Sequence, residues 1–161
     1  KSTARIMSLR DGTKKMSKSD LSDYSRIHLT DSNDDIALKI RKAKTDSDPI
    51  PDNSSLLDNR PEARNLLDIY ATLSHKDLKS VCQQFAGQLF STFKPFLIDM
   101  LVQTLEPIRG QMQTLLSDKS YLNQILAQGA EKANHLACQH LKEIRNLMGI
   151  VGNDSPSLTQ Q

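Results

Sequence analysis

The sequence predicts a mainly α fold in which a helical bundle follows a short, polar N-terminal segment. Three observations lead there. Leu, Ala, Lys and Gln are abundant while Val and Ile are sparse, a bias that favours helix over sheet. There is no Trp and only seven Phe and Tyr, too few for a large β-sandwich core. From residue 61 to residue 147 apolar residues recur at intervals of three and four.

The first 30 residues carry little helical period. Ala4-Arg5-Ile6-Met7-Ser8-Leu9 reads as a short buried strand or the end of one, running into a Gly-, Lys- and Ser-rich loop. Such a loop needs solvent or a ligand, because its backbone groups have no ladder to join. A helix is predicted from Asp31–Asp35 onward. Thr30, Asp31 and Ser32 are N-cap candidates, and Asp34 and Asp35 suit the positive end of the dipole. Residues 46–60, with Pro49, Pro51 and many Asp, Asn and Ser, read as a linker.

Four helices are predicted beyond it. Pro61 suits the first helical position, with Leu66, Leu67, Ile69, Tyr70 and Leu73 as its stripe. A shorter helix spans His75–Ala86 and stops at Gly87. A long one carries Leu89, Phe93, Leu97, Leu101, Leu105, Ile108, Met112 and Leu115; Pro95 marks its first turn and Pro107 a kink. The last carries Leu122, Ile125, Leu126, Ala133, Leu136, Leu141, Ile144 and Leu147, closed by Gly149 and Gly152. These stripes are expected to be core. The polar tail, 152–161, is expected to be disordered.

Charge is unevenly placed. Residues 1–44 hold eleven Lys or Arg against six Asp or Glu, a net of +5, while the remainder holds ten against thirteen. The positive end coincides with the Lys/Ser loop, the footprint expected for a phosphate-bearing ligand or for a solvated basic face. No apolar run approaches the ~18–20 residues of a membrane span, and no signal-peptide pattern is present. Cys82 and Cys138 are expected as reduced thiols. His135 and Cys138 share a helical spacing, but two ligands do not make a metal site.

The chemistry concentrates in Gly12-Thr13-Lys14-Lys15-Met16-Ser17-Lys18-Ser19-Asp20. Ammonium groups neutralise phosphate oxygens, and hydroxyls and loop amides donate further hydrogen bonds. A P-loop would place Gly12, Lys18 and Ser19 in register, but Ser17 stands where the second Gly must let backbone approach phosphate. Lys15-Met16-Ser17-Lys18-Ser19 instead matches the K-M-S-K-S signature of class I aminoacyl-tRNA synthetases letter for letter. The chain resembles the tryptophanyl branch of that family, bacterial or organellar type. The resemblance runs in order through Arg5–Leu9, Lys15–Asp20, Lys39–Ser47, Asn65–Tyr70 and Gly129–Ala133.

The resemblance implies ATP- and Mg2+-dependent activation of L-tryptophan to tryptophanyl-adenylate, then transfer to tRNA(Trp), by a cytoplasmic homodimer. It implies catalytic roles for Lys18 and Lys15, and ATP contacts from Ile6, Lys15, Met16, Ser17, Lys18 and Ser19, with Met16 mainly packing the loop. The loop is expected to open and close around ATP, which suits Gly12. The implied organisation is the end of a Rossmann-like nucleotide-binding domain (1–30), a connecting helix and linker (31–60), a helical domain facing the anticodon (61–151) and a tail (152–161).

The chain starts with Lys, and no His-x-Gly-His occurs in it. It is therefore expected to be a C-terminal fragment, inactive alone, whose tryptophan pocket lies elsewhere. Residues 1–20 are then expected to lack sheet partners and be poorly ordered in isolation, or to borrow a neighbour. The dispersed Lys76, Lys79, Arg109, Lys132, Lys142 and Arg145 are read as solvated helix faces. The competing reading is a non-catalytic RNA-binding helical module with a phosphate-binding loop.

Overall fold

The computed structural model describes residues 5–150, and these are mainly helical, as expected. Five α-helices follow one another: α1 (Asn33–Arg41), α2 (Pro61–Leu73), α3 (Leu78–Phe85), α4 (Phe90–Ser117) and α5 (Lys119–Leu147). Two short 3-10 turns, Asp23–Ser25 and Ser54–Leu57, lie between them. The chain forms two compact units, Lys1–Gln113 and Thr114–Gln161. The expected tail lies outside the described residues.

Among the three N-cap candidates for α1, Ser32 is used. Its hydroxyl accepts from the Asp35 amide, and the Asp35 carboxylate accepts from the Ser32 amide, a reciprocal capping box. Hydrogen bonds from Ser32 hold the Asp35 carboxyl below its ordinary value. The other end of α1 is covered by lysine and arginine. Lys94 of α4 donates to the carbonyls of Arg41 and Ala43 (3.1 and 2.7 Å), and Arg10 to that of Lys42 (2.8 Å). Positive charge belongs at this negative end of the helix dipole. Burial pushes the Lys94 ammonium below its ordinary pKa.

The first unit has one core. Ile36 and Ile40 of α1 meet Leu66, Leu67 and Tyr70 of α2, Val81 and Phe85 of α3, and Phe93 and Leu97 of α4. Tyr70, Phe85 and Phe93 pack edge to face at 5.0–5.5 Å between ring centroids. Residues 46–60 form an ordered connection rather than a plain linker, because it buries Ile50 and Leu57 in the same core. The Ile50 amide donates to Gln88, and its carbonyl accepts from Gly87, which sits at φ 76° as a helix-ending glycine does. Arg60 folds the connection back, donating to both Asp46 carboxylate oxygens and to the carbonyls of Asp48 and Pro49.

Two helix starts differ from the sequence reading. The helix expected from His75 begins at Leu78, with Asp77 as N-cap accepting from the Ser80 amide and hydroxyl. His75 has φ 56° and belongs to the end of α2, where the Lys76 amide reaches back to the Ala71 carbonyl. Pro95 lies in the second turn of α4, not the first, since the helix already starts at Phe90.

In the second unit, Asp118 caps α5 by accepting from the Tyr121 amide. The helix closes where Gly149 takes φ 66° and the Ile150 amide bonds the Arg145 carbonyl. The expectation of core is overturned here: no α5 residue is buried, and Leu126 and Leu147 are 63% and 88% exposed. Period fixed the helix and its apolar face, but period alone does not bury that face.

Candidate nucleotide-handling loop

Ile6–Met16 folds as a narrow hairpin. The Ser8 amide donates to the Lys14 carbonyl (2.8 Å) and the Met16 amide to the Ile6 carbonyl (3.1 Å). Met7 and Lys15 thereby face each other in an isolated antiparallel bridge, and the described residues contain no strand. At the turn, Asp11 accepts from the Thr13 hydroxyl and amide (2.6 and 3.0 Å). These bonds hold its carboxyl down at about 2. Lys14 pairs with the same carboxylate at 3.2 Å.

The sheet partner that residues 5–9 need is borrowed from a helix. Asn65, buried in α2, accepts from the Met7 amide and donates to the Met7 carbonyl, both at 3.0 Å. One side-chain amide thus reproduces the paired donor and acceptor of a neighbouring strand. Leu9 is fixed on both sides of its peptide, its amide bonding Ser25 (2.9 Å) and its carbonyl accepting from Lys44 (2.8 Å). Gly12 is buried under the start of α2, where a Cβ would come within 2.6 Å of Pro61 C, Pro61 O and Glu62 N. Its glycine is demanded by close approach of backbone, not by a hinge. Beside it, the Lys44 ammonium pairs with Glu62 at 2.8 Å and holds the Glu62 carboxyl low.

The signature residues stand beyond this anchored base. Lys15, Ser17, Lys18 and Ser19 are exposed, whereas Met16 packs against the core. Ser17 Oγ lies 3.0 Å from Ser19 Oγ and accepts from the Ser19 amide at 3.3 Å. Neither Lys15 nor Lys18 forms an ion pair among the described residues. Ile6 is 47% exposed, on the arm of the hairpin opposite Met16. The structure therefore gathers Ile6, Lys15 and Met16 on one hairpin and presents Ser17, Lys18 and Ser19 just past it.

Downstream, Arg26 donates to the Asp20 carbonyl (2.9 Å) and pairs with Asp23 (3.3 Å). Asp23 also meets Lys39 (2.8 Å), and Lys39 meets Asp31 (2.6 Å). Burial alone would lower the Lys39 ammonium, but its two carboxylate partners outweigh it and leave the pKa raised. Arg109, read as solvated, instead donates to the Asp31 carbonyl (2.9 Å) and Asn33 Oδ1 (2.7 Å). A cavity of about 240 Å³ opens between Ile6, Met7 and the α2 residues Asn65, Asp68 and Ile69. Among the described residues Asp68 Oδ1 has no hydrogen-bond partner, and burial raises its carboxyl above the ordinary value. Cys82 is buried and Cys138 exposed, both as free thiols. No helix among the described residues is long and apolar enough to cross a membrane.

The family model for class I tRNA synthetases (W and Y) matches residues 2–94, more than half of the chain. The chain belongs to this family. The match takes in the lysine–serine loop, α1, α2, α3 and the start of α4. A tryptophan–tRNA ligase of Mesorhizobium japonicum is 51% identical over 148 residues, 92% of this chain and 42% of the relative. One from Caulobacter vibrioides is 50% identical over 149 residues, 92% of this chain and 43% of the relative. The crystal structure of tryptophanyl-tRNA synthetase from Mycoplasma pneumoniae superposes with a TM-score of 0.73 at 27% identity, covering 92% of this chain and 46% of that one. This class I synthetase chain thus spans less than half the length of the relatives it matches.

Asn65 and Arg109 are the residues that sequence reasoning did not single out. For Asn65 a signal existed: an amide inside the apolar stripe of a helix must find a partner if it is buried.

Proposed function

We propose that the chain is the C-terminal portion of a tryptophan–tRNA ligase and supplies its lysine–serine loop to ATP-dependent activation of L-tryptophan. The observation that carries this reading is the contrast within the hairpin: Asn65, Leu9 and Gly12 fix its base, while Lys18 and Lys15 project from it without a carboxylate partner among the described residues. Cations held ready but unpaired suit a reaction in which negative charge grows.

In the activation step the tryptophan carboxylate attacks the α-phosphorus and charge accumulates on departing pyrophosphate. An ammonium that meets that charge better in the transition state than in bound ATP lowers the barrier. Lys18 takes this role. Lys15 and the Ser17 and Ser19 hydroxyls hold phosphate oxygens, Met16 seats the loop on the core, and Ile6 borders the adenosine. Mg2+ would be held through the phosphates of ATP, where it would neutralise their charge, since the loop offers mainly ammonium and hydroxyl groups. The tryptophan pocket and the rest of the nucleotide site are assigned to the portion of the relatives that the chain does not span. The acceptor is tRNA(Trp), and the assembly is a cytoplasmic homodimer.

Tryptophan-dependent ATP–pyrophosphate exchange, with the chain joined to its upstream portion, tests this. Lys18→Ala should reduce exchange by ~10²-fold or more. A folded protein that exchanges with no amino acid would return the chain to the reading of a non-catalytic RNA-binding module.

A further inference from the structure

Lys18 is exposed and forms no hydrogen bond or ion pair among the described residues, so its placement is inherited from its neighbours in the chain. The last fixed point before it is Met16, whose amide is held by Ile6. The first after it is Asp20, whose carbonyl accepts from Arg26 at 2.9 Å. Between them the hydrogen bonds of Ser17 and Ser19 are local. The position of the Asp20 anchor therefore decides where Lys18 can reach.

That anchor is tied to α4 by an unbroken run of polar contacts. Arg26 also bonds the Ser22 carbonyl and pairs with Asp23. Asp23 Oδ2 meets Lys39 Nζ, which meets Asp31 Oδ2. The Asp31 carbonyl and the neighbouring Asn33 side chain are both taken by Arg109 of α4. Lys39 is only 4% exposed, and a buried ammonium must keep its carboxylates. Arg109 binds with two nitrogens of one planar group, which fixes direction as well as distance.

We propose that Arg109 and Lys39 are positioning residues for the loop: through Asp31, Asp23 and Arg26 they transmit the position of α4 to Asp20, and so set where Lys18 lies. This rests on the ligase reading of the loop. It gives the helical part of the molecule a means of biasing the activation step without touching ATP.

A chain of contacts becomes a coupling only if energy follows it, which a mutant cycle decides. Pyrophosphate exchange is measured on the chain joined to its upstream portion, with Arg109→Ala placed in the wild-type and in the Lys18→Ala background. If Arg109 acts through Lys18, kcat/KM for ATP falls ~10-fold in the first background and less than ~2-fold in the second. Equal losses in both, or no loss in the first, overturn the proposal. Amide hydrogen exchange is the second readout: the Ser25 amide, bonded within the loop exit, should exchange ~10-fold faster in Arg109→Ala while α2 amides keep their protection. An unchanged Ser25 overturns the proposal whether or not the protein turns over. Absence of pyrophosphate exchange in the wild type would defeat the ligase reading, and the tie between α4 and the loop would then stand or fall on the Ser25 amide.

Discussion

Replacing Gly12 with alanine should be among the more damaging single-methyl changes in this chain. The added Cβ would fall within 2.6 Å of Pro61 C, Pro61 O and Glu62 N, where real Cβ atoms stay beyond about 3.0 Å. All three obstacles are backbone, so no rotamer change relieves them. Either the hairpin lifts or the first turn of α2 retreats. Forcing atoms into a packed site costs ~1–3 kcal/mol, and with backbone on every side the upper end, about 3 kcal/mol, applies. For a chain of this size each kcal/mol lowers Tm by ~2–4 °C, so a fall of ~6–12 °C is expected. The assay is thermal unfolding followed by circular dichroism at 222 nm. Gly110→Ala, in α4 with open space around it, is the internal control; a helical glycine replaced by alanine gains ~0.5–1 kcal/mol. If Gly12→Ala melts within ~2 °C of the wild type, about half a kcal/mol, the close approach is not a constraint and the reasoning is wrong.

Three further outcomes are expected. Asn65→Ala leaves the Met7 amide and carbonyl without their partner and should lower stability by ~2–3 kcal/mol, read from the urea midpoint at unchanged slope; Asn65→Asp, which keeps the acceptor but not the donor, should not rescue it. Arg60→Lys loses the planar fork that serves Asp46 and two carbonyls and should cost about 1–2 kcal/mol. Arg60 holds the Asp46 carboxyl below its ordinary 3.8, so the stability this pair contributes is present above that value and lost as pH falls through the lower folded one; acid titration of the variant should show a shallower decline there. Asp68 has the opposite sign. Burial raises its carboxyl, so the penalty is present at neutral pH and is relieved as pH falls through the raised value; Asp68→Asn should stabilise at pH 7, and the gain should vanish in acid.

What the sequence disclosed and what it withheld divide along range of interaction. Ser32, Pro61 and Gly87 act within one turn of helix, and local residue chemistry named all three. The signature Lys15–Ser19 is a contiguous string, so a match by letters sufficed. Asn65 serves a residue 58 positions away and Arg109 one 78 positions away, and no periodicity registers such a bond. Arg60 was taken for the end of a linker because its partners are carbonyls and one Asp, groups that composition treats as interchangeable. Asp77 was passed over although the apolar stripe of α3 begins only at Leu78, one residue after this N-cap. The stripe on α5 shows the converse: the pattern of apolar residues specifies which face seeks burial, not whether that face is covered.

The spacing between Pro61 and Asn65 has its own consequence. Pro61 abuts Gly12 and Asn65 grips Met7, so one helix touches the hairpin at two points a little over one turn apart. A single residue inserted between them would swing Asn65 about 100° around the helix axis, away from the hairpin edge. That stretch of α2 therefore works as a ruler whose length cannot drift. An insertion in the turn after Leu73 would leave both marks of the ruler where they are.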